Sequence, residues 1–145
     1  MITNTFYKEL GKLLYAMACV DGKVQQKEID MLKKIVHSIL VPAESNPGMD
    51  KFASSAAFFM ELEFEIYSAH NINVKAAYHS FIEFVHENEK HIDEKMKVLA
   101  VSLAEKVAAA FKGINKGEMN LIQNLRDHLF PPVTVFLTAA VCLSL

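Results

Sequence analysis

Residues 13–29 read LLYAMACVDGKVQQKEI, and this stretch decides the fold class. An apolar, alanine-containing segment runs into Asp21-Gly22, where glycine can take the left-handed conformation that ends a helix. Upstream, apolar residues recur at spacings of three and four, which is the period of one helix face. These residues are Phe6, Leu10, Leu13, Leu14 and Met17. The stretch therefore predicts a helix, a tight turn and the start of a second helix.

The residues after the turn have the pattern of a helix start. Val24 and Ile29 are spaced as a hydrophobic staple around a cap at Gln25. Glu28 falls at the third helical position, where its carboxylate can accept from free backbone N–H groups and meets the positive end of the helix. Because glutamine is a poor cap, this capping box is only half formed.

Composition sets the broad class of the protein. The chain has 145 residues, 52% hydrophobic and 22% charged, which suits one compact domain with a substantial core. Its five glycines and four prolines are few, which favours long helices over a turn-rich β fold. A formal net charge of -2 without a basic patch argues against nucleic acid as a partner. Cys19 and Cys142 lie in apolar runs, which favours two buried thiols of a cytosolic protein over the alternative of a disulfide between them.

The rest of the chain continues with helical periodicity. Residues Met60–Ile66 alternate apolar and acidic, which is a strand pattern, but no second strand pattern exists to pair with it, so we predict helix there too. The six predicted helices cover about Thr5–Val20, Gln26–Leu40, Met49–Ala69, Val74–His86, Asp93–Phe111 and Lys116–Leu129. In the last of them, the row predicted to be buried is Met119, Ile122, Leu125 and Leu129.

The first helix hairpin recurs near the end of the chain. Ala18–Gly22 aligns with Ala109–Gly113, and after a one-residue gap Val24–Ile29 aligns with Ile114–Met119. Asn115 is a good cap, so the second capping box is the better formed. The sequence therefore predicts an all-α fold, a compact bundle of about six or seven helices with two pseudo-repeated helix hairpins.

With these residues in view, the sequence resembles the TerB-like family of tellurite-resistance proteins. The resemblance rests on Leu13–Val24, followed by Glu28-Ile29 and Leu32, and the second hairpin at Val107–Leu125 supports it. It implies that residues 1–145 form a single TerB-like helical domain of bacterial origin. It also implies a cytoplasmic or inner-membrane-associated setting and a link to tellurite resistance or wider stress responses.

The family resemblance also implies candidate metal ligands. Members are suspected of binding metal ions through acidic residues at these hairpins, which points to Asp21, Glu28 and Glu118 here. The second hairpin departs from the pattern, because Lys112 stands where a second acidic residue would complete a symmetric site. Calcium takes six to eight oxygen ligands, and capping alone explains Asp21 and Glu28, so a structural role competes with ion binding.

A second candidate metal site lies on the predicted fourth helix. His79, Glu83 and His86 are spaced i, i+4 and i+7, so they share one helix face. Glu83 and His86 have the Glu-x-x-His spacing of di-iron carboxylate bundles, although only one such motif is present, and His91 could add a nitrogen. A solvated polar face explains the same residues without a metal.

Acidic residues cluster before this helix. Glu61, Glu63 and Glu65, with Glu44 and Asp50 upstream, form an acidic surface that could bind a basic partner or cations, or could simply be solvated. No nucleophile elbow, phosphate-binding glycine loop or Cys-x-x-Cys pair is present. Two functions follow: a non-enzymatic stress-response module that binds protein partners, with a divalent metal ion as its one candidate cofactor, or a metal-dependent enzyme or sensor using the His/Glu cluster.

The last segment, Val133–Leu145, is apolar and carries no charge. As a helix it would be about 20 Å long, which is too short to span the ~30 Å hydrocarbon core of a membrane. We expect it to pack on the domain as a seventh helix, and the alternatives are a membrane-surface contact, a contact between copies in a homo-oligomer, or a tail foreign to the family pattern. The expected location is the cytoplasm, without a transmembrane span.

Overall fold

The protein folds as a helical bundle in the computed structural model, which describes residues 2–19, 26–40, 47–110 and 116–131. These residues form six α-helices and no strand, which confirms the all-α prediction. The helices are α1 (Ile2–Cys19), α2 (Gln26–Leu40), α3 (Pro47–Ala69), α4 (Val74–Glu87), α5 (Glu94–Ala110) and α6 (Lys116–Leu129), with a 3₁₀ turn at Glu89–His91 between α4 and α5. The segment Val133–Leu145 lies outside the described residues.

Helix α1 is the centre of the bundle. It packs against α3, α4 and α5, while α2 packs on α3 and α5, and α6 packs on α5 and touches α4. The five residues of the predicted apolar row on α1 have no solvent exposure: Phe6, Leu10, Leu13, Leu14 and Met17. Aromatic rings continue the core, because Tyr15 makes edge-to-face contacts with Phe64 and Tyr67 of α3.

Asparagine and aspartate side chains fix the ends of the central helices. Asn71 takes a left-handed φ of 48° in the turn after α3, a conformation that asparagine tolerates better than most residues. The Asn73 side chain accepts from the backbone N–H of Ala76 at 3.1 Å, and Asp93 accepts from that of Met96 at 2.9 Å. Each satisfies a backbone donor that has no partner within its helix. These caps stabilise the first turns of α4 and α5.

Two predictions for the helices need correction. Helix α1 begins at Ile2 rather than at Thr5, so residues 2–4 are helical although the sequence pattern did not predict them to be. In α6, Ile122, Leu125 and Leu129 are buried as predicted, but Met119 is 59% exposed. Because α6 packs mainly on α5 and only touches α4, the described residues leave the Met119 side chain largely uncovered.

Membrane insertion depends on the length and the hydropathy of a helix. Even the longest described helix, α3, has glutamates within its apolar part, at Glu61, Glu63 and Glu65. No helix in the described part of the chain is long and apolar enough to cross a membrane.

Candidate functional site

Helices α4 and α6 border an open groove. The two helices lie side by side but touch in few places, so a space of about 540 Å³ remains between them. Its walls are Val74, Lys75, Tyr78 and His79 of α4 and Asn120, Leu121 and Asn124 of α6. Apolar, cationic and amide groups therefore face the same space.

Tyr78 closes part of this groove. Its side chain is buried, and its hydroxyl donates a hydrogen bond to Oδ1 of Asn124. Burial, and then the negative charge of Asp127, raises the pKa of Tyr78 well above its usual 10.0. The group is therefore a neutral phenol at physiological pH, where it can position α6 against α4 as a hydrogen-bond donor.

A pair of histidines forms the second polar contact between the same helices. Nε2 of His86 lies 3.2 Å from Nδ1 of His128, and the two ring centroids are 5.3 Å apart at an interplanar angle of 73°. Both side chains are exposed. Each residue lies in the last turn of its helix, α4 for His86 and α6 for His128. The sequence pattern singled out His86 but not His128.

The three acidic residues implied by the family resemblance are only partly described. Glu28 is buried, with 8% exposure, and lies in the first turn of α2. Asp21 lies outside the described residues, and Glu118 belongs to α6 but its side chain lies outside the described part. The geometry therefore places Glu28 at a helix start and leaves its relation to the other two as a prediction.

The predicted cluster on α4 keeps its helical spacing. His79, Glu83 and His86 all lie on α4 and are all exposed, and His91 is exposed in the 3₁₀ turn that follows. Among the residues described, no three His, Cys, Asp or Glu side chains converge on a point where one ion could be held. The side chain that the structure does bring to His86 comes from α6.

Two glutamates of the acidic surface on α3 contact basic side chains of α2. Glu65 lies 2.9 Å from the Lys33 ammonium, and Oε1 of Glu61 lies 3.1 Å from Nε2 of His37, so an ion pair and a histidine–carboxylate contact join α3 to α2. These two glutamates therefore face basic side chains of the same chain, and binding of an external partner or cation by the acidic surface stays a prediction. Glu44 lies outside the described residues, and so does the side chain of Asp50.

Glu61 is a glutamate of this surface whose carboxylate is poorly hydrogen-bonded. Its Oε1 is buried and accepts no hydrogen bond of acceptable geometry, although Nε2 of His37 is close. Burial raises the pKa of Glu61 above its usual 4.5; the charges of His37 and Lys33 oppose this, and that of Glu65 adds to it. The folded protein thus favours the protonated acid more than the unfolded chain does.

Replacing Glu61 with glutamine should change how stability depends on pH. Because the folded pKa is raised, Glu61 makes the wild type lose stability as the pH rises from 4.5 through the raised value. Glu61→Gln lacks this titration, so its melting temperature should rise relative to wild type over that window. The effect should stay below about 1 kcal/mol, because the pair is partly solvated. Melting curves in steps from acid to neutral pH measure it.

The matched control for this experiment is Glu65→Gln, one turn further along α3. The Glu65 side chain is 42% exposed, so removing its charge should change the pH profile less than removing that of Glu61. A stability difference between Glu61→Gln and wild type that is constant across the window would contradict the buried-carboxylate interpretation.

A buried polar network that local sequence patterns did not predict joins α1 to α4. The Lys12 ammonium donates to Oε1 of Glu9 at 2.7 Å and to the Ser80 hydroxyl at 3.3 Å, and Ser80 in turn donates to Oε2 of Glu9 at 2.8 Å. Glu9 is only 9% exposed. Lys12 also lies over the Tyr67 ring, 5.6 Å from its centroid. Each member of this network satisfies another, as a structural cluster does.

Comparison of the chain with models of known protein families, with curated protein sequences and with solved structures gave no match in any of the three. Function is therefore inferred from the geometry of this chain and from the resemblance that its sequence carries. Among the groups described above, the α4–α6 face carries the exposed polar side chains from two helices, whereas the Glu9 network is internal.

Proposed function

We propose that this chain is a non-enzymatic, TerB-like helical module of a bacterial stress response, which acts by binding protein partners. The observation that carries the proposal is the position of Glu28, the acidic residue that the family resemblance singles out. Its carboxylate is buried in the first turn of α2, directly after the hairpin on which the resemblance rests. The all-α bundle built around α1 is the architecture that the resemblance implies.

An exposed apolar row on α3 supports the partner-binding part of the proposal. Phe58, Leu62 and Ile66 follow one another at intervals of four residues, so they lie along one face of the helix. Their exposed fractions are 58%, 38% and 40%. Contiguous exposed apolar side chains are uncommon on monomeric proteins and mark surfaces where partners bind.

The alternative function is a metal-dependent enzyme or sensor that uses His79, Glu83 and His86. One observation favours it: all three side chains are exposed on α4, where an external ligand could reach them. The metal candidates of the two functions differ in chemistry, because the acidic residues offer oxygen ligands to hard cations while the histidines offer nitrogen to transition metals.

Replacing Glu28 with glutamine tests the role of the hairpin. We expect Glu28 to stabilise the start of α2 first, so Glu28→Gln should lower the free energy of unfolding by a few tenths to about 1 kcal/mol. Calcium, magnesium and zinc should shift the melting temperatures of wild type and variant equally. A tightly bound ion would instead stabilise wild type by about 2.7 kcal/mol at a hundredfold excess over its dissociation constant. Such a shift, if Glu28→Gln abolished it, would identify the hairpin as an ion site.

The same variant in cells tests the stress-response assignment. Deleting the gene from its host should reduce growth on tellurite, and expression of wild type should restore it. Glu28→Gln should restore growth as well, because a structural role survives a modest loss of stability. A deletion that left growth unchanged under tellurite and other chemical stresses would exclude the stress-response role.

A further inference from the structure

We propose that His86 and His128 form a two-histidine site for a divalent transition-metal ion, bound between the last turns of α4 and α6. The proposal does not depend on the stress-response assignment, because it uses neither the hairpin nor the acidic residues. It also differs from the cluster read from the sequence, since its second ligand comes from α6 rather than from α4. The contact between Nε2 of His86 and Nδ1 of His128 is the observation on which it rests.

The separation of the two nitrogens fits a shared ion. Zinc binds histidine nitrogen at about 2.0–2.1 Å and favours tetrahedral geometry, in which two such ligands lie about 3.3 Å apart. The observed distance between the two nitrogens is 3.2 Å. The nitrogens therefore already lie at ligand separation, and a rotation of the two rings would turn both lone pairs toward a shared ion.

The electrostatic setting also favours a cation. His86 and His128 each lie in the last turn of a helix, where the unpaired carbonyl groups give the helix a partial negative charge. Two helix C-termini thus contribute at the same place. Neutral imidazole suits zinc, nickel and copper, whereas calcium and magnesium require oxygen ligands. The chemistry points to a transition metal and away from the hard cations.

The proton balance of this site is simple. In the metal-free pair, one nitrogen carries a hydrogen and donates it to the other, so the two facing nitrogens hold one proton between them when both rings are neutral. An ion that takes both lone pairs moves that proton to the far nitrogen of the same ring, with no net release. Where a ring is an imidazolium, binding releases one proton from it.

The backbone holds the pair in place. Both ligands project from α-helices, and each is next to a core residue: Val85 is 4% exposed and Leu129 is 1% exposed. Within the described part of the chain, no third His, Cys, Asp or Glu side chain converges with the pair, so the described residues leave two tetrahedral positions open. A site with open positions can take water or a group from a ligand or partner, unlike the closed four-ligand sites that only stabilise a fold.

The test is calorimetric titration of the full, tag-free chain with zinc chloride and, separately, nickel chloride. Wild type should bind one ion per chain. His86→Gln and His128→Gln should each weaken binding by about tenfold or more, because loss of a direct ligand should cost at least as much as loss of an outer partner. Both side chains are exposed, so both variants should keep the wild-type circular dichroism spectrum. Calcium chloride should give no binding at this site.

His79→Gln and Glu83→Gln are the matched controls, because they change exposed members of the α4 cluster and leave the proposed pair intact. Both should bind zinc as wild type does. Loss of binding in these variants, with His128→Gln unaffected, would overturn the proposal in favour of the α4 cluster. Absence of binding in wild type, or equal affinity in wild type and His128→Gln, would overturn it outright.

A spectroscopic readout makes the assignment direct. In nuclear magnetic resonance spectra of the imidazole nitrogens, zinc should shift Nε2 of His86 and Nδ1 of His128 together, at the same point of the titration. The other four of the six histidines should keep their signals. Shifts at only one of the two rings would show that the ion does not bridge α4 and α6.

Discussion

Alanine in place of Gly11 should destabilise the fold by about 2–3 kcal/mol, the cost of inserting a methyl group into a packed helix interface. Gly11 lies in α1 against α3, and a Cβ atom built on it would lie 2.5 Å from the carbonyl oxygen of Met60 and 3.0 Å from Cβ of Glu63. The nearest atom belongs to a helix backbone, which cannot turn away as a side chain can. Relief requires that α1 and α3 move apart, and that exposes the centre of the core.

The sign of this effect makes the experiment decisive. In an unconstrained helix interior, glycine to alanine stabilises by about 1 kcal/mol, since alanine is the better helix former. Urea denaturation of Gly11→Ala should show the opposite, a lower midpoint with an unchanged slope. Asn4→Ala, at an exposed position of the same helix, should change stability by no more than about 0.5 kcal/mol. A stabilised Gly11→Ala variant would show that α1 and α3 do not approach this closely.

The alternating segment Met60–Ile66 illustrates how much the sequence could predict. In a helix, residues four apart share a face, so the alternation resolves into separate stripes. Met60 and Phe64 form one stripe and are fully buried, while Leu62 and Ile66 form another and are 38% and 40% exposed. Glu61 and Glu65, one turn apart, form a third stripe that contacts α2. The absence of a partner strand, rather than local periodicity, correctly decided for helix.

Helix ends were predicted correctly where turn residues or prolines flank the helix. The predicted bounds Gln26–Leu40 and Lys116–Leu129 agree with the structure, because turn residues and prolines follow or precede them. The start of α1 differs from the prediction because Thr3 and Asn4, residue types that commonly cap a helix, lie inside the helix instead of before it. Local rules thus located most helices, and failed where residues typical of a cap are themselves helical.

Contacts between distant residues were beyond such rules. His86 and His128 are 42 residues apart, and Ser80 is 71 residues from Glu9, so no spacing pattern within one helix could pair them. Periodicity indicates which face of a helix is polar, but it does not indicate which helix that face meets. His79 and His86 were therefore grouped by their shared helix, although the contact that forms crosses to α6.

The largest electrostatic effect is expected from Lys12. Lys12→Met should destabilise the fold by about 2–3 kcal/mol, somewhat less than the about 3–5 kcal/mol typical when one partner of a fully buried pair is removed. The side chains of Lys12 and Glu9 are 18% and 12% exposed, so solvent weakens the penalty without abolishing it. Methionine keeps the apolar stem that lies beside Tyr67 and removes only the ammonium. Urea denaturation at neutral pH measures the loss.

The raised pKa of Lys12 also predicts how the stability difference between wild type and Lys12→Met changes with pH. Burial lowers the pKa of Lys12, but the hydrogen bond and charge of Glu9, together with a contribution from Tyr67, more than offset burial, so the pKa lies above its usual 10.5. Stability from the charged ammonium is therefore complete below pH 10.5 and is lost as the pH rises through the raised pKa. As the pH rises from neutral, the difference between wild type and Lys12→Met should accordingly stay constant until alkaline pH and shrink there.

A double variant separates the buried charge from lost packing. In Lys12→Met the carboxylate of Glu9 keeps only the Ser80 hydroxyl as the other polar group of the network, and most of the destabilisation comes from that stranded charge. Glu9→Gln removes the charge and keeps an oxygen that can accept from Ser80. The double variant Glu9→Gln/Lys12→Met should therefore be more stable than Lys12→Met alone, with a coupling energy of about 1–2 kcal/mol. If the losses of stability in the two single variants simply add in the double variant, Lys12 acts through the packing of its stem. The Glu9 carboxylate would then be solvated well enough without the Lys12 ammonium.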